Sequence, residues 1–118
     1  MLPQREFMKL TFNQYEDEAY AMAIYPDQGR NITYPVLGLA GETGEVADKV
    51  KKCLRDHGGH FNEQRMQDLI KEMGDVLWYL VALSREIGIS LESVAQQNLE
   101  KLRDRKTRGR LQGEGDER

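Results

Sequence analysis

The sequence has little of what secreted, membrane-spanning or disulfide-bonded proteins need. It contains one cysteine, Cys53, so no intramolecular disulfide can form and nothing indicates an oxidising compartment. Its longest uninterrupted apolar run, VLWYLVAL, is far too short to span a bilayer, and the opening residues MLPQREFMK lack the apolar core of a signal peptide. We therefore expect a soluble, cytoplasmic protein that has no membrane partner.

Proline and β-branched runs are also scarce. The chain has three prolines in 118 residues and is rich in Leu, Ala, Glu and Lys, a composition that favours helices over sheet. A chain of this length fits one domain, which should bury roughly 60 to 70% of its unfolded surface. The expected fold class is all-α, with residues 1–118 forming a single domain.

Charge is distributed unevenly along the chain. The formal net charge is −3, but residues 101–110, KLRDRKTRGR, hold six basic side chains and one acid. That segment therefore carries +5, and the rest of the chain sums to −8. An acidic body with a short basic end does not favour a nucleic-acid partner.

Two helices are predicted in the first half of the chain. Thr11 starts the capping-box pattern TFNQ, and the helix that it opens should run to about Tyr25. A second helix should begin near residues 33–34 and continue to about Asp56, before Gly58 and its neighbouring glycine end it.

Two more helices are predicted in the second half. Asn62 can cap a third helix, whose apolar stripe of 3.6-residue period continues to Ile87, and Gly88 suits its left-handed C-terminal cap. Ser90 can cap a fourth. Residues 107–118 contain three glycines and are expected to form an irregular C-terminal tail.

Four carboxylates occupy matching positions on the second and third predicted helices. At 100° per residue they lie at about −100° to −160° from the centre of each apolar face. Two facing antiparallel helices are related by a twofold axis perpendicular to both, so side chains at matching angles from the two apolar faces come to the same side of the pair. The short connection at residues 56–61 favours the antiparallel arrangement. The four acids are Glu42, Glu45, Glu72 and Asp75.

The heights of the two pairs also match, since both lie 10 to 14 residues from the connection at about 1.5 Å per residue. Converging carboxylates repel one another unless a cation neutralises them, and hard oxygen ligands suit Mg²⁺ or Mn²⁺. Such an ion is a natural partner for a phosphate chain. The alternative, two solvent-facing acidic pairs, is equally open on spacing alone.

Glycines and basic residues add two weaker signals. Gly38, Gly41, Gly44 and Gly74 lie inside predicted helices, where each costs roughly 1 kcal/mol relative to Ala, so either tight helix packing or a substrate should approach the backbone there. On the fourth helix, spacings of three and four residues place a polar set on one face, where it can bind phosphate or solvent. That set is Asn98, Lys101 and Arg105.

These patterns in combination resemble the MazG-type family of all-α nucleoside triphosphate pyrophosphohydrolases. The resemblance covers about residues 33–106 and rests on Glu42-x-x-Glu45, on Glu72-x-x-Asp75 within EMGDVLWYL, and on GISLESVAQQNLEKLRDR. It implies Mg²⁺-dependent hydrolysis of a nucleoside triphosphate to the monophosphate and pyrophosphate. It also implies a bundle of about four helices with an antiparallel central pair, completed as a homodimer or homotetramer.

The same resemblance assigns the four acids to metal binding and implies that Asn98 and Lys101, with Arg105, contact the substrate. Some related all-α dUTPases carry a further acid just before the first Glu pair, where this chain has Gly41. The general base is therefore open between Glu42, Glu45 and water activated by the metal.

Two other functions compete with this prediction. A di-iron carboxylate bundle usually needs Glu-x-x-His pairs, which neither central helix contains. A non-enzymatic helical adaptor would keep the fold and use its basic tail for binding, but it would have no chemical need for the four acids.

Overall fold

The computed structural model of the chain describes residues 9–118, which form four α-helices. These are α1 (Phe12–Tyr20), α2 (Thr33–His57), α3 (Glu63–Ile87) and α4 (Leu91–Thr107). No strand occurs within residues 9–118, so the all-α class is confirmed. In this same range, none of the helices combines the length and the apolar character that crossing a membrane would need.

Local capping residues set most of the helix ends. The side chains of Thr11, Asn62 and Ser90 accept hydrogen bonds from backbone amides at 3.1, 2.9 and 3.0 Å, which satisfies free donors at the starts of α1, α3 and α4. Gly58 and Gly88 adopt left-handed φ angles of 59° and 77° just after α2 and α3. The predicted boundaries of the central helices are confirmed.

The predicted end of the first helix was wrong, because α1 stops at Tyr20 and not near Tyr25. The Ala19 carbonyl accepts hydrogen bonds from the Trp78 indole at 3.0 Å and from the Met22 amide at 3.2 Å, and not from the Ala23 amide that would continue the helix. The Ala23 amide donates to the Tyr20 carbonyl at 3.0 Å, which forms a tighter turn. A tertiary contact from α3 therefore ends α1.

The helices share a small core centred on α3. Helices α2 and α3 pack together most extensively, while α3 also contacts α1 and α4, and α1 contacts α4. The Cα radius of gyration is 17.1 Å, against about 13 to 14 Å for a compact chain of this length. Much apolar surface stays outside the core. The buried apolar residues are Ala19, Ala23, Tyr25, Pro35, Cys53, Val81, Ala82 and Leu91, and the exposed ones include Phe12, Met22, Ile24, Leu37, Leu54 and Met73.

A buried carboxylate joins α1 to the junction between α3 and α4. Glu16 is only 6% exposed and accepts hydrogen bonds from Arg85 Nε and from the Leu91 amide, both at 2.6 Å. Arg85 also pairs with Asp17 at 2.6 Å and lies 5.0 Å from the centre of the Tyr20 ring. Helical periodicity does not predict this cluster. Its one sequence signal is that Glu16 lies three residues before an alanine on the packed side of α1.

A second carboxylate holds the connection between α1 and α2. Glu86 on α3 accepts hydrogen bonds from the Tyr25 hydroxyl at 2.5 Å and from the backbone amides of Gly29 and Asn31 at 2.8 and 3.0 Å. The Asn31 side chain in turn accepts from the Tyr34 amide at 3.0 Å, in the first turn of α2. Glu86 thus ties the start of α2 to α3.

Substitution of Glu86 by Gln should remove a pH-dependent part of the stability. The hydrogen bonds from Tyr25, Asn31 and Gly29 hold the pKa of Glu86 below its ordinary value of 4.5. Because the folded-state pKa is the lower one, the carboxylate stabilises the fold above pH 4.5, and this contribution is lost as the pH falls through the folded-state pKa. We expect the melting temperature of wild type to exceed that of Glu86→Gln at neutral pH.

The measurement is thermal unfolding of both proteins from neutral pH down to about pH 3, which brackets the ordinary carboxyl range. The difference between their melting temperatures should shrink towards zero at the acid end. Glu100→Gln, which alters an exposed acid on α4, is the control and should show no such trend. A Glu86→Gln difference that is constant with pH would contradict the assignment.

Candidate metal centre

Three acids from the two central helices converge in the structure. Glu42 comes from α2, and Glu72 and Asp75, one helical turn apart, come from α3. One carboxylate oxygen of each lies within 4.8 Å of the others. Glu42 and Glu72 are half-buried and Asp75 is exposed, so the cluster lies at the surface of the helix pair, where a ligand can reach it.

The fourth predicted acid, Glu45, lies outside this group. It is exposed, one turn along α2 from Glu42. It is still close enough for its negative charge to raise the pKa of Glu42. The structure therefore brings three of the four predicted acids together and leaves the fourth beside them.

Uncompensated negative charge is the main electrostatic feature of the cluster. Burial raises the pKa of Glu42, and the charges of Asp75, Glu72 and Glu45 raise it further, in that order. Among the ion pairs of residues 9–118, none engages Glu42, Glu72 or Asp75. Three oxygen donors without a protein counter-charge have the donor chemistry that a hard divalent cation prefers.

Tyr79 lies next to the cluster, one turn after Asp75. It packs so closely on Gly38 that a Cβ atom there would lie 2.1 Å from the tyrosine ring. The centres of the Tyr34 and Tyr79 rings are 6.4 Å apart. The pKa of Tyr79 is raised mainly by burial, next by its interaction with Tyr34, and last by the negative charges of Glu42 and Asp75. Close helix packing thus explains Gly38.

The other three helical glycines have a different environment. At Gly41, Gly44 and Gly74 an added Cβ would meet nothing within 4 Å in the described part of the chain. Packing within one chain therefore does not account for them. They leave backbone open on both sides of the acids, where a ligand or another chain can approach.

An apolar groove of about 320 Å³ runs between α2 and α3. Several of the residues that line it are neighbours in sequence of the acids, such as Thr43 and Met73. Met73 is 56% exposed, so the groove leaves apolar surface open next to the acidic cluster. It is lined by Thr43, Val46, Met73, Val76, Leu77 and Leu80.

The polar residues predicted on α4 lie apart from the acids within one chain. Asn98 and Lys101 line a shallow groove near the end of α3, together with Ile87 and Val94. Arg105 is 5% exposed, beneath the C-terminal tail. Within residues 9–118 no hydrogen bond or ion pair joins these three side chains to the acidic cluster, and α4 has no packing contact with α2.

Comparison with known proteins gives a family and a phage relative. The sequence model of the MazG nucleotide pyrophosphohydrolase domain matches residues 32–109, which include α2, α3, α4 and all four acids. The chain is 44% identical over 109 residues to the Gene 37 protein of Mycobacterium phage L5, an alignment that covers 88% of this chain and 96% of the phage protein. No solved structure matches the chain.

The family match spans the same helices that carry the converging carboxylates, and it covers about two thirds of the chain. The resemblance in the sequence motifs is therefore confirmed, and this chain belongs to the MazG nucleotide pyrophosphohydrolase domain family.

Proposed function

We propose that the protein is a divalent-metal-dependent hydrolase that converts a nucleoside triphosphate to the monophosphate and pyrophosphate, in the control of a nucleotide pool. The observation that carries this proposal is the convergence of Glu42, Glu72 and Asp75 in a chain of this family. Family membership supports a nucleotide as the substrate. The acids support a metal-bound polyphosphate as its reacting part.

Glu42, Glu72 and Asp75 would hold Mg²⁺, or Mn²⁺ in its place. Ligand oxygens around an octahedral Mg²⁺ ion lie roughly 3 to 4.2 Å apart, since each is about 2.1 Å from the metal. The observed limit of 4.8 Å is therefore close to the spacing that one ion requires. When bound, the ion neutralises phosphate charge and stabilises the leaving pyrophosphate.

Glu45 would act as the general base in this proposal. It lies outside the three-acid group yet beside it, so its carboxylate would not be needed to hold the metal. In the proposed reaction a water oxygen bonds to the α-phosphorus and its proton passes to Glu45. The bond from the α-phosphorus to the bridging oxygen breaks in line, and pyrophosphate leaves. Asn98, Lys101 and Arg105 would bind phosphate oxygens.

We infer that α2 and α3 run antiparallel. Position 38 on α2 meets Tyr79 on α3, and Glu42 meets Asp75. Nearer the connection, the Cys53 thiol donates to the His60 carbonyl at 3.3 Å. Residues with higher numbers along α2 thus contact residues with lower numbers in the following segment, as expected for antiparallel helices joined by a short loop.

We also propose that the active form is a homodimer or homotetramer. The core is small, many large apolar side chains are exposed, and an apolar groove lies between α2 and α3, and such exposed apolar surface is typical of protein interfaces. A second copy could cover the groove and bring its own Asn98 and Lys101 to the acids. Sedimentation should therefore give a dimer or larger species, and a monomer at every concentration would contradict this.

The test of the activity is incubation with a panel of canonical and modified nucleoside triphosphates in the presence of Mg²⁺. We expect monophosphate and pyrophosphate as the products, with no release of single phosphate. Removal of the metal by a chelator should stop the reaction, and Mn²⁺ should restore part of it. Absence of metal-dependent turnover across the whole panel would contradict the proposed function.

A further inference from the structure

The C-terminal residues 108–118, called the strap here, fold back along the end of α4. The Arg118 guanidinium closes the strap on itself by donating to the backbone carbonyls of Arg110, Leu111 and Gly115 at 3.1, 3.0 and 2.6 Å. Arg108 donates to the Arg118 carbonyl at 2.8 Å. The strap is thus an ordered loop with polar internal bonds.

Asp116 attaches the far end of this loop to α4. Its carboxylate lies 2.9 Å from Lys101 Nζ and 2.9 Å from Arg105 Nη2. Arg105 also donates to the backbone carbonyl of Asp116. These two cations are the ones that the proposed function assigns to the phosphates of the substrate. In the structure they bind a carboxylate of the chain itself.

The strap is held by contacts that open easily. Every residue from 108 to 117 is exposed, and its one large apolar side chain, Leu111, is 45% exposed. The strap therefore has no fully buried apolar side chain to fasten it to α4. The Asp116 side chain is 73% exposed although the Arg105 side chain beneath it is buried, so Asp116 can leave both cations for water at little cost. Segments with few buried contacts open at low free energy.

A polyphosphate is a stronger partner for the same cations than one carboxylate. It carries more negative charge and offers more acceptor oxygens, and guanidinium and ammonium groups bind such oxygens with charge-assisted hydrogen bonds. Lys101 and Arg105 hold the pKa of Asp116 below its ordinary range, so the carboxylate stays ionised around neutral pH. The Asp116 carboxylate and a polyphosphate should therefore compete for Lys101 and Arg105.

We propose that the strap is an intramolecular competitor, in which Asp116 occupies Lys101 and Arg105 until a polyphosphate anion displaces it and releases residues 108–118. This inference rests on the phosphate-binding role of Lys101 in the proposed function. It adds a regulatory contact to that site. Only chains in which Asp116 has left the cations can bind the anion, so the apparent dissociation constant equals the intrinsic one divided by the fraction of open chains.

The test is calorimetric binding of inorganic tripolyphosphate to the full chain without metal. Asp116→Asn, which keeps the side-chain size but removes the charge, should bind tripolyphosphate about three- to tenfold more tightly than wild type, the range expected for two ion pairs to a carboxylate that is itself 73% exposed. Glu117→Gln is the matched control: it removes one negative charge from the next residue and should leave the affinity within about twofold of wild type. Lys101→Ala should weaken binding.

Hydrogen exchange gives a second readout that does not depend on affinity. The strap amides that donate hydrogen bonds are those of Arg108, Gly109 and Arg110, and the last two bind the carbonyls of Lys106 and Arg105. Addition of tripolyphosphate to wild type should speed exchange at Gly109 and Arg110, and Asp116→Asn should show this faster exchange before any anion is added. Unchanged or weaker binding by Asp116→Asn, or an unchanged or slower exchange in the wild-type strap, would overturn the inference. Neither measurement requires turnover, so strap opening without nucleotide hydrolysis would reject the proposed function alone.

Discussion

Asp75→Asn should lower kcat/KM for the proposed nucleotide hydrolysis by at least about 100-fold, because it removes one of the three charged ligands that the proposal gives to the metal, and a bound metal supplies several kcal/mol of transition-state stabilisation. The Mg²⁺ or Mn²⁺ concentration that gives half-maximal activity should rise as well. Burial raises the pKa of Glu42, and the negative charges of Asp75, Glu72 and Glu45 raise it further, so loss of the Asp75 charge should not weaken the metal-free fold. The melting temperature in the absence of metal therefore separates lost chemistry from unfolding.

Two further substitutions make this result specific. Glu45→Gln should lower kcat while leaving metal affinity near that of wild type, since Glu45 lies outside the three-acid group. Glu18→Gln, at an exposed acid of α1, should change neither quantity. Full activity and unchanged metal dependence in Asp75→Asn would rule out the proposed metal centre. Equal loss of metal affinity in Glu45→Gln would instead make Glu45 a fourth ligand.

Glu16→Ala should reduce the free energy of unfolding by about 2 to 3 kcal/mol, because it removes a buried charged acceptor and leaves the Leu91 amide without a partner, although Arg85 keeps Asp17. The Arg85 guanidinium loses its 2.6 Å partner, and the Leu91 amide loses its acceptor at the start of α4. α1 would then lose its polar attachment to α3 and α4. Urea unfolding followed by circular dichroism measures this change.

Asp17→Ala is the matched control for Glu16→Ala. Asp17 also pairs with Arg85 at 2.6 Å, but its side chain is 75% exposed, so its loss should cost no more than about 1 kcal/mol. Glu16→Gln keeps an acceptor for the Leu91 amide and should fall between the two. Similar losses for Glu16→Ala and Asp17→Ala would show that burial of Glu16 contributes nothing beyond an ordinary surface pair.

Helix boundaries were predictable where a local interaction determines them. Thr11, Asn62 and Ser90 bind amides three residues ahead, and Gly88 adopts a left-handed φ that other residues rarely tolerate. These interactions lie within one turn of chain, so the sequence pattern contains them completely. The end of α1 was not predictable, because it depends on Trp78, far away in sequence.

The candidate site divides in the same way. Helical periodicity alone places Glu72 and Asp75 on one face of α3 and predicts that Glu42 shares their side of the pair. Side-chain positions, which depend on how α2 and α3 pack, decide that Glu45 lies outside the three-acid group. Periodicity also groups Lys101 and Arg105, but it does not reveal that the strap binds both of them through Asp116.

The sequence by itself therefore determined the all-α class, the central helices and the acid-bearing faces, since backbone hydrogen bonding and a 3.6-residue period act over a few neighbouring residues. The tertiary structure alone decided the buried Glu16 cluster, the Glu86 attachment of the α1–α2 connection and the folded strap. Each of these joins residues from separate elements, and whether such charges pair depends on the positions that packing gives to both partners.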